Sequence, residues 1–261
     1  MQEILKQQSE KYLARYPKIF FCHVPKCAGV SLSNAIYSSI YPSFLKATKF
    51  TGSIDLKSSR VCSELLNVDM MTARETHLIF HLNDPKMIFT HGHCIARPSV
   101  VGNFAKDWHF LTILRNPVDR FISEFVYNKF KKSEWLKHDD DIETYVDSEK
   151  GLTAGLTYAK YFSGYTNPHE IIANRDTVIE EAVANIRRFS VFGTLDNMDK
   201  WQARFNQTFN TTIKIANKNA SPNQTASSDI TGNAAIMDKI HTLCDIDNAI
   251  YSRVTALVEA E

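Results

Sequence analysis

Residues Lys18-Ile-Phe-Phe-Cys-His-Val24 form a continuous apolar run of strand length, followed at once by a turn over Pro25 to Gly29. Val30 to Ile40 then carries Leu32, Ala35, Ile36 and Ile40 at helical spacing. A run that is apolar on both faces predicts a strand buried on both faces, the habit of parallel sheets covered by helices. The same handover recurs. Lys86 to Thr90 reads as a second strand, and Trp108 to Leu114, dense in apolar and β-branched residues, as a third. Asn116 as cap and Pro117 in the first turn then open a helix to about Lys132. Strands alternating with helices predict an α/β chain with a mainly parallel sheet flanked by helices.

The remaining pattern fills in around that frame. Gln2 to Ala14 is expected to form a short amphipathic helix, an extension over residues 1–17 of a single domain spanning 1–261. Tyr41 to Arg60, with Pro42, Gly52 and no clear period, is expected to be an irregular, substrate-facing surface segment. Helices are expected over Asp139 to Ser148, Thr153 to Phe162, Asp176 to Arg188 and Asp196 to Phe209. Short strands are expected at Ser190 to Gly193 and Thr212 to Ala216. A polar loop from Asn217 to Asp229 precedes one or two helices over Ile230 to Val258.

Charge narrows the function. Thirty Lys plus Arg against 29 Asp plus Glu give a net charge of +1, so no global basic field points to a nucleic-acid partner, while a local basic cleft is compatible. Five cysteines without paired spacing predict free thiols in a reducing compartment. No apolar run is long enough for a signal peptide or a transmembrane segment, and the expected localisation is cytoplasmic. Glycosylation triplets at Asn206, Asn210, Asn219 and Asn223 would suit the alternative, a lumenal fragment of a membrane-anchored enzyme.

Two segments carry chemistry. Phe21-Cys-His-Val-Pro-Lys-Cys-Ala-Gly-Val-Ser-Leu32 lies where a strand hands over to a helix, the place where main-chain N–H groups gather around an anion. Lys26 adds a positive charge, Gly29 allows close approach and Ser31 offers a hydroxyl. The same residues also fit a plain turn with an exposed lysine. The phosphate-loop pattern GxxxxGK[ST] is absent, which disfavours an ordinary kinase or ATPase. The second segment, Phe110-Leu-Thr-Ile-Leu-Arg-Asn-Pro-Val-Asp-Arg-Phe-Ile-Ser-Glu-Phe125, repeats the architecture. Arg115 stands at the strand end and Ser123 two helical turns later, a pairing that suits a second phosphate. Arg120 reads as a surface cation.

These segments resemble the sulfotransferases that use 3′-phosphoadenosine-5′-phosphosulfate (PAPS), in particular the carbohydrate type that includes heparan sulfate 2-O-sulfotransferase. Their 5′-phosphosulfate loop, approximately H-x-P-K-x-G-G-T-S-L, is matched by His23, Pro25, Lys26, Gly29, Ser31 and Leu32. Their 3′-phosphate motif, approximately L-R-x-P-x-x-R-x-x-S, is matched by Leu114, Arg115, Pro117, Arg120 and Ser123. Cys27, Ala28 and Val30 depart from the usual Thr, Gly and Thr, which removes two hydroxyls but no main-chain amide. Weaker likenesses at Tyr161–Gly164, Phe192–Asp196 and Asn217-Lys218 extend the resemblance over most of residues 18 to 255.

The resemblance implies a P-loop-like sulfotransferase fold and transfer of a sulfuryl group from PAPS to a hydroxyl-bearing acceptor, with a saccharide as the leading class. Adenosine 3′,5′-bisphosphate would be the product, and no metal is required. The implied donor-binding set is Lys26, Cys27, Ala28, Gly29, Val30, Ser31, Leu32, Arg115, Ser123, Asn217 and Lys218. Thr90-His-Gly-His-Cys94 resembles the His-Gly-His in which a histidine acts as general base; His93 takes that role here, with His91 second. Both could instead be structural, or a metal pair with Cys94. A small-metabolite kinase and an inactive nucleotide-binding module are the rival functions. Trp135, Tyr158, Tyr161 and Tyr165 are candidates for an aromatic sugar platform or for core. Cys27 is a candidate reactive thiol if the helix N-terminus and Lys26 lower its pKa.

Overall fold

The structure, a computed structural model, describes residues 8, 10–215 and 224–260. Four parallel strands form its sheet: β1 (Ile19–Cys22), β2 (Thr51–Ser53), β3 (Phe89–Gly92) and β4 (His109–Thr112), in the order β2-β3-β1-β4. Central β1 is wholly buried and pairs Cys22 with Gly92 on one side and with Thr112 on the other. Helices cover the sheet, as the unbroken apolar runs require. Beyond β4, Val191 and Thr194 make parallel bridges to Leu111 and Leu114, so the strand expected at Ser190 to Gly193 is reduced to one isolated bridge at Val191, with a second just past its end at Thr194.

Helix α1 (Gly29–Ile40) follows β1, and α2 (Leu56–Leu66) and α3 (Met70–Asn83) precede β3. Helix α4 (Pro98–Phe104) leads into β4, and α5 (Pro117–Phe130) leaves it. Chain leaving β1 runs toward β2, whereas chain leaving β4 runs away to the other side. The carboxyl ends of β1 and β4 therefore flank the crevice in which open α/β sheets bind ligands.

Several expectations need correction. The supposedly irregular Tyr41 to Arg60 contains a 3₁₀ turn at Ser43–Leu45, edge strand β2 and the start of α2. β2 is Thr-Gly-Ser, without an apolar residue, so only its pairing with β3 makes it a strand. The turn in which Met87 N–H bonds Asp84 O delays β3 to Phe89, which places His91 inside the ladder. Thr212 to Ile215 is not a strand: the amide of Ile213 goes to the Asn206 side chain at 2.8 Å. Gln224 to Asp229 belongs to a helix, Gln224–Thr231, rather than to a loop. Asn217, Lys218 and most of the expected N-terminal helix lie outside the described residues, although residues 10–13 are helical.

Downstream of α5 come short helices, among them α6 (Ile142–Val146), α7 (Glu149–Gly155) and α8 (Thr157–Phe162), and the chain closes with Ala234–Leu243 and Asp245–Ala260. The main core packs around the sheet, with Phe20 set edge-on against Phe110 at 5.7 Å. A second cluster joins Phe121 and Phe125 of α5 to Tyr145 and Ile240. Among the described residues no helix is long and apolar enough to cross a membrane.

Candidate active site

Beyond β1 the chain turns through Pro25 to Ala28. Lys26 and Ala28 hold left-handed φ angles of 67° and 55°, which cost non-glycine residues on the order of 1 kcal/mol each. Left-handed Ala28 followed by helical Gly29 aims successive N–H groups into one concavity. Side chains of Asp55, Asp69 and Asn116 cap α2, α3 and α5, whereas no side chain caps α1 at Ala28. The amides of Gly29, Val30 and Ser31 thus have no intrahelical acceptor, and the helix dipole favours an anion there.

Gly29 is required by its neighbour. A Cβ at this position would lie 1.7 Å from the His23 ring, which passes directly against the main chain. His23 in turn stacks on Phe21 and sits 4.1 Å, ring centre to ring centre, from His93. Burial, reinforced by His93 and His91, pushes its pKa down to about 2, so His23 is a neutral packing element.

A cavity of about 560 Å³ opens over this turn. Lys26, Ala28, Gly29, Val30, Ser31 and His93 line it, together with Arg74, Glu124, Tyr127, Asn128, Lys131, Trp135 and the apolar Ile54, Leu56 and Leu136. Lys26 Nζ lies 3.8 Å from the centre of the Tyr127 ring. Burial, with help from Arg115 and Lys131 and against the pull of Glu124, lowers the Lys26 pKa.

Two members of the expected donor set drop out as cradle donors. The Cys27 amide bonds Val24 O and the Leu32 amide bonds Ala28 O, and both side chains are buried in the core. The cradle narrows to residues 28–31. Burial also pushes the Cys27 thiol up to about 11, which overturns its reading as an activated nucleophile.

Arg115 follows β4 and reaches across to the first turn, its Nη1 3.4 Å from the carbonyl oxygen of Lys26. Ser123 is half-buried on α5 and lies outside the cavity lining. Arg120 is not a surface cation. It is fully buried and bonds Glu124 and the carbonyl of Ala154. Tyr158 and Tyr161 are core residues, and Trp135 alone of the four aromatic candidates lines the cavity.

The two histidines part company. His91, inside β3, faces a second cavity of about 380 Å³ with Lys46, Asn34 and Ser53. His93 lies beyond the strand, and its Nδ1 is 2.7 Å from the carbonyl oxygen of His23. A carbonyl only accepts, so Nδ1 carries the proton and Nε2 keeps its lone pair. Burial lowers the His93 pKa, opposed by that hydrogen bond and aided by Arg74 and Lys26, which keeps the ring neutral near pH 7. Arg74 of α3 also donates to the His93 carbonyl at 3.0 Å. Glu75 holds Arg97 in a two-pronged ion pair, tying α3 to the loop behind His93. Among the described residues no three His, Cys, Asp or Glu gather as a metal site.

Local motifs do not reveal Arg74, but Glu124, Tyr127 and Asn128 had a signal in the sequence. Their spacing of three and four from Glu124 puts them on one face of α5.

Comparison with curated proteins finds no match. The profile described as the sulfotransferase family matches residues 12–252, a span that takes in both turns and both histidines. Sulfuryl transfer to a hydroxyl-bearing acceptor is the reaction of that family, which separates the chain from the metabolite kinases. By a match over most of its length, the chain belongs to the sulfotransferase family.

Proposed function

We propose that this protein moves a sulfuryl group from PAPS to a hydroxyl of an acceptor, a saccharide by resemblance to the carbohydrate sulfotransferases, with His93 as general base. One observation carries the reading. The unprotonated Nε2 of His93 belongs to a ring that lines the same cavity as Lys26 and the uncapped amides of residues 29–31. A donor with an anion at each end suits these residues: the first turn its 5′ end, and Arg115, outside the cavity lining but reaching the Lys26 carbonyl, its 3′-phosphate.

The donor supplies an activated sulfur whose bond to the 5′-phosphate oxygen breaks as the acceptor oxygen attacks. His93 Nε2 takes the acceptor proton, and Lys26 with the helix amides stabilises charge on the departing phosphate. Positioning and charge do most of the catalysis in such a displacement, by analogy with phosphoryl transfer. The conclusive assay incubates the protein with sulfur-labelled PAPS and defined saccharide acceptors and identifies the product by mass. Tight, magnesium-independent binding of adenosine 3′,5′-bisphosphate over ATP is expected. Bisphosphate binding without turnover on any hydroxyl acceptor would favour an inactive module instead.

A further inference from the structure

β4 ends where its ladder ends. Leu114 N–H still bonds Gly193 O, and Leu195 N–H bonds Leu114 O, but Arg115 has left the sheet and Asn116 already caps α5. The main-chain N–H and C=O of Arg115 therefore need partners from elsewhere, since leaving such groups buried and unpaired is costly. One side chain serves both. Tyr158 Oη accepts from Arg115 N–H at 2.9 Å and donates to Arg115 O. The same hydroxyl lies 3.7 Å from Cys27 Sγ, in the turn after β1. A single buried hydroxyl thus touches both anion-binding turns, and Tyr158 is itself fully buried.

Tyr158 is in turn held from the far end of the chain. It stands in the first turn of α8, where the N–H groups of Tyr158 and Ala159 bond the carboxylate of Asp247 at 2.8 and 3.0 Å. Asp247 is fully buried on the closing helix. The C-terminal helix, α8 and the two turns form one connected support.

We infer that Tyr158 is a positioning residue for the donor: its hydroxyl fixes the Arg115 turn against the Lys26 turn, and so sets the spacing at which two anionic ends of one nucleotide are gripped. This rests on the donor site proposed above. It requires Tyr158 to matter for ligands that use both turns and not for ligands that use one.

The test is titration calorimetry of the full chain with adenosine 3′,5′-bisphosphate and with adenosine 5′-monophosphate. Tyr158→Phe should weaken the bisphosphate by about tenfold and leave the monophosphate unchanged, and it should raise the KM for PAPS without changing kcat. Tyr41→Phe is the control. Its hydroxyl lies between two acceptors, Pro17 O at 2.7 Å and Ile88 O at 3.0 Å, and shares its one proton there at the opposite end of the sheet, so its loss should lower the melting temperature and leave both affinities alone. Equal loss for both nucleotides in Tyr158→Phe, or no loss for either, overturns the inference while leaving the donor site standing. A wild-type chain that binds no bisphosphate overturns the donor site, and this inference with it. Should Tyr158→Phe not fold, 3-fluorotyrosine at position 158 keeps the hydroxyl while changing its hydrogen-bond strength. A changed bisphosphate affinity then supports the role, and an unchanged one overturns it.

Discussion

The guanidinium of Arg115 donates to the main-chain carbonyl of Lys26 at 3.4 Å, joining turns that follow two neighbouring parallel strands. The contact links a permanent cation to the backbone of a second, partly desolvated one, and burial lowers the pKa of Lys26. The Arg115 charge also lowers the Lys26 pKa, and an anion bound beside both would offset that repulsion. Lys26→Ala and Arg115→Ala should each weaken adenosine 3′,5′-bisphosphate binding by about 10–100-fold. Calorimetry showing wild-type affinity in both would remove the donor site.

His93→Ala should cut turnover by roughly 10²–10⁴ while leaving bisphosphate affinity nearly intact. His91→Ala, altering the second cavity, should cost far less. Wild-type turnover in the His93 variant ends its assignment as base.

A base must be neutral to act. Because burial lowers the His93 pKa, kcat/KM should be flat at neutral pH and fall only below 6.5, as the ring gains its proton. Arg74 contributes to that lowering, so Arg74→Gln, which retains a donor for the His93 carbonyl, should move the acid limb to higher pH. An unmoved limb would show that the Arg74 charge does not act on His93.

Gly29→Ala places a methyl group where the His23 ring lies. Overpacking of this kind costs about 1–3 kcal/mol, and it should both lower the melting temperature and weaken donor binding by shifting the cradle. A variant of wild-type stability and affinity would mean that the ring moves aside freely.

Acid should destabilise the fold through its buried imidazoles. Burial pushes the pKa of His23 down to about 2 and that of His81 down to about 4, both from 6.5. Between 6.5 and those values the unfolded chain binds protons that the folded one refuses. Stability present above 6.5 is then lost as pH falls, at up to about 1.4 kcal/mol per pH unit for each group. Asp247 opposes this, since burial raises its pKa to about 7 and the folded state takes up its proton first. Urea midpoints between pH 7 and 4 should fall with acidity, and less steeply in His81→Gln; equal slopes would exclude His81.

Much of this was written locally. The run Ile19 to Cys22 is apolar at every position, which favours a strand covered on both faces, and Asn116 as cap with Pro117 in the first turn is a local helix-start signal. Lys26 and Arg115 were legible because each sits where such a strand gives way to a helix. Arg74, Tyr158 and the split between His91 and His93 were not. Arg74 meets His93 and Tyr158 meets Arg115 only across the fold.

Sequence alone determined the parallel α/β arrangement and the two strand-to-helix turns that carry Lys26 and Arg115, because hydrophobic period and turn chemistry act over a few residues. The tertiary structure decided what local pattern cannot carry: that the Cys27 and Leu32 amides are already spent, that Arg120 is buried, and that His93 rather than His91 shares a cavity with Lys26. Each depends on which distant groups compete for the same hydrogen bond or the same volume, and that competition exists only once the chain is packed.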